Sequence, residues 1–554
     1  MAVPLTLGAR PEQVFPTLTD EQIERVAGHG RKRAVQGGEV LVEAGQQHYP
    51  LFVVLDGEVE GTVSSAFAVS TVNTLRRGQF TGELNLLPGR RALATVRVTE
   101  PGSVIEVGRD ALLALVQNDG ELSEIFMRAF VLRRVALIDR GLGDVVLLGS
   151  SFSADTLRIQ EFLARNAHPY SYVDLDRDTG VQELLDRFDV SADDIPVAIC
   201  RGEAVLRNPS NAEIADCLGF NESVDTTRMR DVVIVGAGPA GLAAAVYAAS
   251  EGLDVLIIES DSPGGQAAWS SRIENYLGFP SGISGQELAA RAFSQAEKFG
   301  AQMMIAKRAT RLHCRERPYA IEMDNGARVA ARTMIIATGA EYRGLPIQNV
   351  GRFIGAGVYY GATPMESRLC KGEDVIVVGG GNAAGQAATF LAQSARRVVL
   401  IVRSGGLAEG MSRYLIRRIE EMPAIELRTN CQIVALEGST HLERVRWRDE
   451  NSGGESTEPI RHLFVMTGAV PATKWLKECL VLDEHGFIKT GPDLSHDELE
   501  AARWLLARPP HLLEASRPGV FAVGDVRGGN IKRVSSAVGE GSIAVAFVHQ
   551  VLRE

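Results

Sequence analysis

No two cysteines in this sequence are separated by only two residues; the six, Cys200, Cys217, Cys314, Cys370, Cys431 and Cys479, are scattered. Such spacing excludes a zinc knuckle and a local redox dithiol, so no metal site is expected and most of the thiols read as reduced core or surface residues. Also missing is any run approaching about 18 uninterrupted apolar residues, the length of a membrane span. The opening Met-Ala-Val-Pro-Leu-Thr has no basic segment leading into an apolar core, and a cytoplasmic protein is expected. Basic residues are in deficit, 58 Lys and Arg against 69 Asp and Glu, for a formal charge of −11. Nucleic acid is therefore not an expected partner, because counterion release needs clustered cations against phosphate. Low-complexity stretches are absent, and the polar segment Asn451 to Pro459 reads as a hairpin loop between strands.

What is present is glycine, 57 residues in a chain of 554. The glycines stand at the ends of apolar, β-branched runs, which is the punctuation of α/β structure. A chain of this length has room for three or four domains of roughly 100 to 200 residues each.

The strongest signal starts at Asp231-Val-Val-Ile-Val-Gly-Ala-Gly-Pro-Ala-Gly. An apolar strand passes into a helix through Gly236, Gly238 and Gly241, with Pro239 and Ala240 between them. The first glycine serves a tight turn, the second close approach of a pyrophosphate, the third helix packing. The next strand, Asp254-Val-Leu-Ile-Ile-Glu, ends in Glu259, 23 residues after Gly236 (259 − 236), where a carboxylate binds ribose hydroxyls. The pattern recurs at Asp374-Val-Ile-Val-Val-Gly-Gly-Gly-Asn-Ala-Ala, with Gly379, Gly381 and Ala384 displaced by 143 residues (379 − 236) and Asn382 and Ala383 opening the helix. The same offset carries Glu259 onto Val402, beside Arg403. An acid there would repel a 2′-phosphate and a guanidinium would pair with it, so the second site predicts NADPH, with Arg413 as a further contact. Two turns imply two dinucleotides. The others of the set are Ala337-Thr338-Gly339, its counterpart Met466-Thr-Gly, and Gly519-Val-Phe-Ala-Val-Gly524-Asp525.

On these motifs, together with Gly264-Gly265-Gln266, Glu274-Asn275-Tyr-Leu-Gly-Phe-Pro and Lys532-Arg-Val534-Ser-Ser-Ala-Val-Gly-Glu-Gly, the stretch from Met229 to Glu554 resembles low-molecular-weight thioredoxin reductase. The resemblance implies FAD at the first turn and NADPH at the second. It implies a split FAD domain (229–345 and 470–554) around an inserted NADPH domain (350–469), a homodimer, and domain rotation that delivers the nicotinamide. In that family a Cys-Ala-Thr-Cys precedes the second glycine motif, whereas this chain has Gly361-Ala-Thr-Pro364. Both sulfurs are gone, and disulfide exchange requires a thiolate. The expected acceptor is an electron-carrier protein, a quinone, dioxygen or a small organic molecule. Cys370 reads as structural, and Glu366 and Arg368 either line an exposed flavin face or belong to a solvated helix surface.

Two further units precede this part. Short alternating runs, Leu51 to Leu55, Val59 to Val63 and Thr95 to Val98, predict an antiparallel β-roll within 1–140, after a helix over Thr19 to Gly28 and before another from Asp110. With Gly78-Gln-Phe-Thr-Gly82-Glu83 it resembles a cyclic-nucleotide-binding domain, whose Glu accepts from ribose and whose Arg, nine residues on, pairs with the phosphate. Ala92 holds that second place here, with Arg90 and Arg91 out of register. A nucleotide-like ligand is one reading; a structural or partner-binding module is the other. Across 144–220, a strand from Val145 to Leu148, helix from Asp155 to Asn166, strand from Tyr170 to Asp174, helix from Gly180 to Phe188, then Ile195-Pro196 and a helix from Asn211 resemble a thioredoxin or glutaredoxin fold. Ser150-Ser-Phe-Ser stands where that family keeps its Cys-x-x-Cys, and Pro196 is expected to be cis.

Overall fold

A computed structural model of the chain describes residues 11–64, 69–150, 153–177, 194–201 and 204–554. The expected helix Gly180 to Phe188, the first ten residues, and Ser151 and Phe152 lie outside them.

The N-terminal unit is a five-stranded antiparallel roll in which Leu51–Ser64 and Thr95–Val107 form the central pair. Each is one long strand where the sequence suggested short runs. The ladder absorbs Asp56-Gly57 and Pro101-Gly102 through register shifts between Val54 and Val59, so turn residues that should end a strand bulge it instead. Asp20–Ala27, with Thr19 and Gln22 forming a reciprocal capping box, precedes the roll. Arg109–Asn118 and Gly120–Asp139 follow it. Phe80, Phe126 and Phe130 pack ring against ring at its centre.

Between residues 145 and 217 lies a four-stranded sheet in the order Ser171–Asp174, Val145–Gly149, Val197–Cys200, Ala204–Arg207. The first pair is parallel and the rest antiparallel, with Ala154–Arg165 as the crossover helix and Asn211–Cys217 closing the unit. The Ile195–Pro196 bond is cis, as expected.

The remainder is built on two sheets. One has Gln302–Met304, Val255–Ile258, Arg230–Val235 and Arg328–Ile336 in parallel, with two antiparallel strands beyond and Val520–Ala522 added alongside Arg328–Ile336. The other is fully parallel, in the order Val358–Tyr359, His462–Val465, Asp374–Val378, Arg397–Ile401, Ile425–Arg428. Strand Val520–Ala522 returns to the first sheet after the whole second sheet has been built, so the second is an insertion into the first. A two-stranded ribbon, Ala340–Tyr342 with Ala469–Pro471, joins them. The strands are near-continuous Val and Ile because both faces are covered; in the inserted sheet one face packs on helices Asn382–Leu391 and Arg413–Glu420 and the other on the antiparallel strands Cys431–Glu437 and Arg444–Asp449. Helix Pro239–Ser250, rich in alanine, packs on Val534–Arg553, and a Cβ at Gly541 would come within 2.2 Å of the Ala240 carbonyl. Only glycine permits that approach.

The roll is pinned to the flavoprotein part by Arg90. Its guanidinium is buried, lies 5.4 Å from the Phe220 ring and 5.3 Å from that of Phe293, and pairs with Glu297 at 3.4 Å on helix Gly285–Lys298. Arg91 pairs with Glu222.

Candidate functional site

Strand Arg230–Val235 ends at Gly236, whose φ of +104° and missing Cβ let the turn close; a Cβ would stand 2.4 Å from the Ala337 carbonyl. At Gly241 a Cβ would stand 1.9 Å from the Gly236 carbonyl, so the third glycine is needed for helix against turn. Gly238 differs: a Cβ there would meet nothing nearer than Gly265 Cα at 3.9 Å, so its open side is space rather than packing. Helix Pro239–Ser250 starts here with Pro239 at its first turn and no side-chain cap. Its free N–H groups and dipole are left for an anion. Glu259, buried at the end of the neighbouring strand, accepts from Ala237 N at 2.7 Å and Asp261 N at 2.9 Å. Burial pushes its carboxyl above the ordinary range, and those two N–H donors oppose the rise.

Around this turn the structure gathers most of the remaining predicted residues. Gly265 lies against Gly238, Gly264 N donates to the Ala237 carbonyl at 2.8 Å, and the Gln266 amide donates to the Ala340 carbonyl. Thr338 Oγ1 donates to the Ala472 carbonyl at 3.1 Å, tying Thr338-Gly339 to the returning chain. Gly524 packs against Ala240, and the half-buried Asp525 follows it, its carboxyl pushed up by burial with Lys532 opposing. Val534 opens the last helix. Asn275 is exposed on a separate loop. Two residues were not singled out. Glu540 accepts from Gly524 N at 2.7 Å and pairs with Arg527 at 2.6 Å. Asn530, in the loop before that helix, has both amide atoms buried without a partner among the described residues, leaving polar groups available to a ligand. The open Gly238, the uncapped helix start and Asn530 fit a phosphate-bearing cofactor.

The second turn repeats the first in its contacts. Gly379 presses against the Met466 carbonyl, where a Cβ would be 2.3 Å away, just as Gly236 presses on Ala337. Gly381 is open, with Gly410 O at 3.9 Å from its would-be Cβ, and helix Asn382–Leu391 begins without a side-chain cap. Asn382 Oδ1 accepts from Ser412 N at 2.8 Å, drawing the start of helix Arg413–Glu420 to the turn. Ala383 is exposed and Ala384 buried. Val402 is buried, whereas Arg403 and Arg413 are exposed. This rim is cationic where the first has Glu259.

Between the turns, Gly361 lies on the indole of Trp269; a Cβ there would be 2.4 Å from Cε3. Arg165 of the four-stranded unit sits 4.9 Å over the same indole, pairs with Asp261 at 3.1 Å and donates to the carbonyls of Ser262 and Gly265 at 3.5 Å. Burial pushes the nearby Glu161 up to about 8, opposed by Arg165 and reinforced by Glu366 and Asp261. Pro364 opens the short helix Pro364–Leu369. Arg368 is exposed there, but Glu366 is not a solvated surface charge: it is buried and accepts from Thr363 N at 2.8 Å. Cys370 is buried, with its thiol pushed up to about 12 by burial, which keeps it protonated. Most of the thiols are reduced, as expected, namely Cys200, Cys217, Cys370 and Cys431; the other two, Cys314 and Cys479, 165 residues apart, form a disulfide. Their separation hid a pairing that the fold creates at a Cα distance of 5.9 Å.

In the roll, Glu83 accepts from Tyr49 Oη at 3.2 Å and Asn85 N at 3.1 Å and is paired with the buried Arg134. Arg90 and Arg91 point out to other units, as described above, and Ala92 forms part of a cavity wall.

These features align with known proteins. Residues 230–541 match the family model described as pyridine nucleotide-disulphide oxidoreductase, and 32–119 match the cyclic nucleotide-binding domain. The chain is 33% identical over 314 residues to thioredoxin reductase of Treponema pallidum, covering 57% of this chain and 94% of that protein. It is 30% identical over 328 residues to the Bacillus subtilis thioredoxin reductase, covering 59% and 96%. Among solved structures, thioredoxin reductases from Lactococcus lactis (25% identity) and T. acidophilum (29%) each superpose with a TM-score of 0.52, covering 59% of this chain and 100% of theirs. With two glycine turns of matching geometry, one rimmed by a carboxylate and the other by arginines, the chain belongs to the pyridine nucleotide-disulphide oxidoreductase family and is an NADPH-dependent, FAD-containing oxidoreductase of thioredoxin reductase architecture behind a cyclic nucleotide-binding domain.

Proposed function

We propose that this enzyme takes electrons from NADPH and delivers them to an acceptor reached without a protein dithiol. The observation that carries the reading is the exchange at the two second-strand ends, Glu259 at one and Val402 with Arg403 at the other. When bound, FAD and NADPH supply the hydride chemistry. The chain's own groups hold and orient. The helix start at Gly238 and Pro239 faces a pyrophosphate, Glu259 accepts from a ribose hydroxyl, and Gly264, Gly265, Gln266, Asn275, Thr338, Gly339, Gly524, Asp525 and Val534 complete the FAD site. At the second turn Gly379, Gly381, Asn382 and Ala383 seat the other pyrophosphate, and Arg403 and Arg413 pair with the 2′-phosphate.

Gly361 and Pro364 occupy the places of the family's two sulfurs, and Trp269 fills the space beside Gly361. With Cys370 protonated and buried, no thiolate is supplied from this segment, so the acceptor is a carrier protein, a quinone, dioxygen or a small organic molecule. The unit at 144–220 is a thioredoxin-like fold used as a docking piece, for which its βαβ start and antiparallel end argue. The protein is a homodimer in the cytoplasm on this reading. Anaerobic addition of stoichiometric NADPH should bleach the flavin absorbance at rates well above those with NADH; bound flavin that neither nicotinamide bleaches would end the proposal.

A second reading is a flavin-based redox sensor governed through the roll. Arg90 favours it, since one buried side chain joins the roll to helix Gly285–Lys298 of the flavin-binding half. Removal of the first 220 residues separates the two: unchanged dye-linked turnover supports the enzyme with accessory units, and altered turnover supports control.

A further inference from the structure

The cavity of the roll has changed its chemistry. It has a volume of about 330 Å³, at the small end for ligand sites, and its walls are mostly apolar, among them Val42, Val63, Val72, Leu93 and Leu137. Ala92 stands in that wall where the domain's resemblance calls for a phosphate-binding arginine. Glu83, the expected ribose acceptor, also lines it, but its two oxygens already accept from Tyr49, Asn85 and Arg134, and the Arg134 guanidinium cancels its charge. A cyclic nucleotide thus finds neither a fixed cation at the phosphate position nor a free carboxylate for its ribose.

The cavity does contain a different cation. Arg133, on helix Gly120–Asp139, lines it and is only 7% exposed. Nε donates to the Val14 carbonyl at 3.0 Å and Nη1 to that of Gly82 at 2.8 Å, while the guanidinium lies 4.9 Å from the Phe15 ring and 4.7 Å from that of Phe80. The group is held rigidly, yet its Nη2 is buried with no partner among the described residues. Native proteins rarely leave a charged donor in that state, because desolvation is not repaid until an acceptor arrives. Arg140, exposed, adds a second positive charge to the cavity lining. Neither arginine has a carboxylate partner among the described residues, and Glu83 is neutralised, so the local field favours an anion.

We infer that this cavity binds a small amphipathic monoanion, an alkyl or aryl carboxylate, with its charged end toward the Arg133 guanidinium and its apolar part among Val42, Val63, Val72, Leu93 and Leu137. The site is separate from both glycine turns and does not depend on the proposed electron acceptor.

Calorimetric titration of the full chain with decanoate, decylamine and cyclic AMP tests the assignment. Saturable decanoate binding is expected, with decylamine weaker by about tenfold or more, the loss of one charge-assisted hydrogen bond. Cyclic AMP should not displace decanoate. Ala92→Phe, which fills the cavity, should weaken decanoate by at least about tenfold while flavin content and melting temperature stay the same. Arg133→Gln should erase the preference for decanoate over decanol. Absence of saturable decanoate binding, equal affinity for decylamine, displacement by cyclic AMP, or an Ala92→Phe protein that binds decanoate as before would each overturn the inference. The decylamine and cyclic AMP arms use the unaltered protein and decide the question even if Arg133→Gln does not fold.

Discussion

The two glycine turns share a backbone and differ at their rims. Gly236 and Gly379 each press on the carbonyl of the residue before a Thr-Gly pair, Ala337 in one case and Met466 in the other, at would-be Cβ distances of 2.4 and 2.3 Å. Closing a strand onto a helix demands that contact whatever is bound. At the end of the second strand the demand is different: one unit buries Glu259 with two backbone donors, the other buries Val402 and exposes Arg403. Duplication kept what the chain needs for its turn and exchanged the charge at the rim.

The sharpest way to break this comparison separates packing glycines from ligand glycines. Gly241→Val drives side-chain atoms into the Gly236 carbonyl, 1.9 Å from the would-be Cβ, and should abolish folded, flavin-bearing protein, a loss of about 4 kcal/mol or more. Gly238→Ala has room in the protein itself, so the chain should fold with its melting temperature little changed and lose flavin, read from the ratio of visible to ultraviolet absorbance. Gly381→Ala should behave likewise at the second turn, sparing flavin and weakening NADPH. If Gly238→Ala kept its flavin, the open face would not be a phosphate seat.

Arg403→Ala comes next. It should raise the NADPH dissociation constant by about ten- to a hundredfold, the worth of a hydrogen bond to a charged group, and leave NADH unchanged. Equal losses for both nicotinamides would remove the rim from the argument.

A smaller effect concerns the roll's anchorage. Burial pushes the Glu297 carboxyl from 4.5 to about 7, against the pull of Arg90. A raised carboxyl means that the folded chain holds a proton the unfolded chain has lost, so this group's contribution to stability declines as pH climbs from about 4.5 to 7. Glu297→Gln should flatten that part of the thermal stability profile; an unaltered slope would deny Glu297 its place in it. Smallest of all, Arg165→Ala removes the cation–π contact over Trp269 and the ion pair with Asp261 and should cost about 1 kcal/mol, seen as a small fall in melting temperature with flavin content unchanged.

Both glycine turns, Glu259 and the Val402–Arg403 exchange were legible because each motif is local: turn, cap and strand end lie within a few residues of one another, and backbone geometry dictates the residue type. The polar segment Asn451 to Pro459 was only half legible, since Glu455–Glu458 joins a strand by pairing Glu455 with Arg448 across the hairpin. Asp56-Gly57 looked like a strand end and became a bulge because the long partner strand continued past it. Glu366 looked like a surface charge and is buried on Thr363. Nothing local marked Arg133 as a cavity residue, Arg90 as a pin, or Trp269 as the partner of Gly361.

By itself the sequence determined the α/β flavoprotein plan, the duplicated turns, the choice of acid and arginine at their rims, and the absence of any closely spaced dithiol. Tertiary structure alone decided which cysteines pair, where the displaced arginines of the roll point, and what fills the space beside Gly361. The division has a physical cause. A turn or helix start is settled by the sterics and hydrogen bonds of adjacent residues, whereas a buried charge, a disulfide across 165 residues or an indole packed on a glycine depends on which distant surfaces meet when the chain buries its apolar faces.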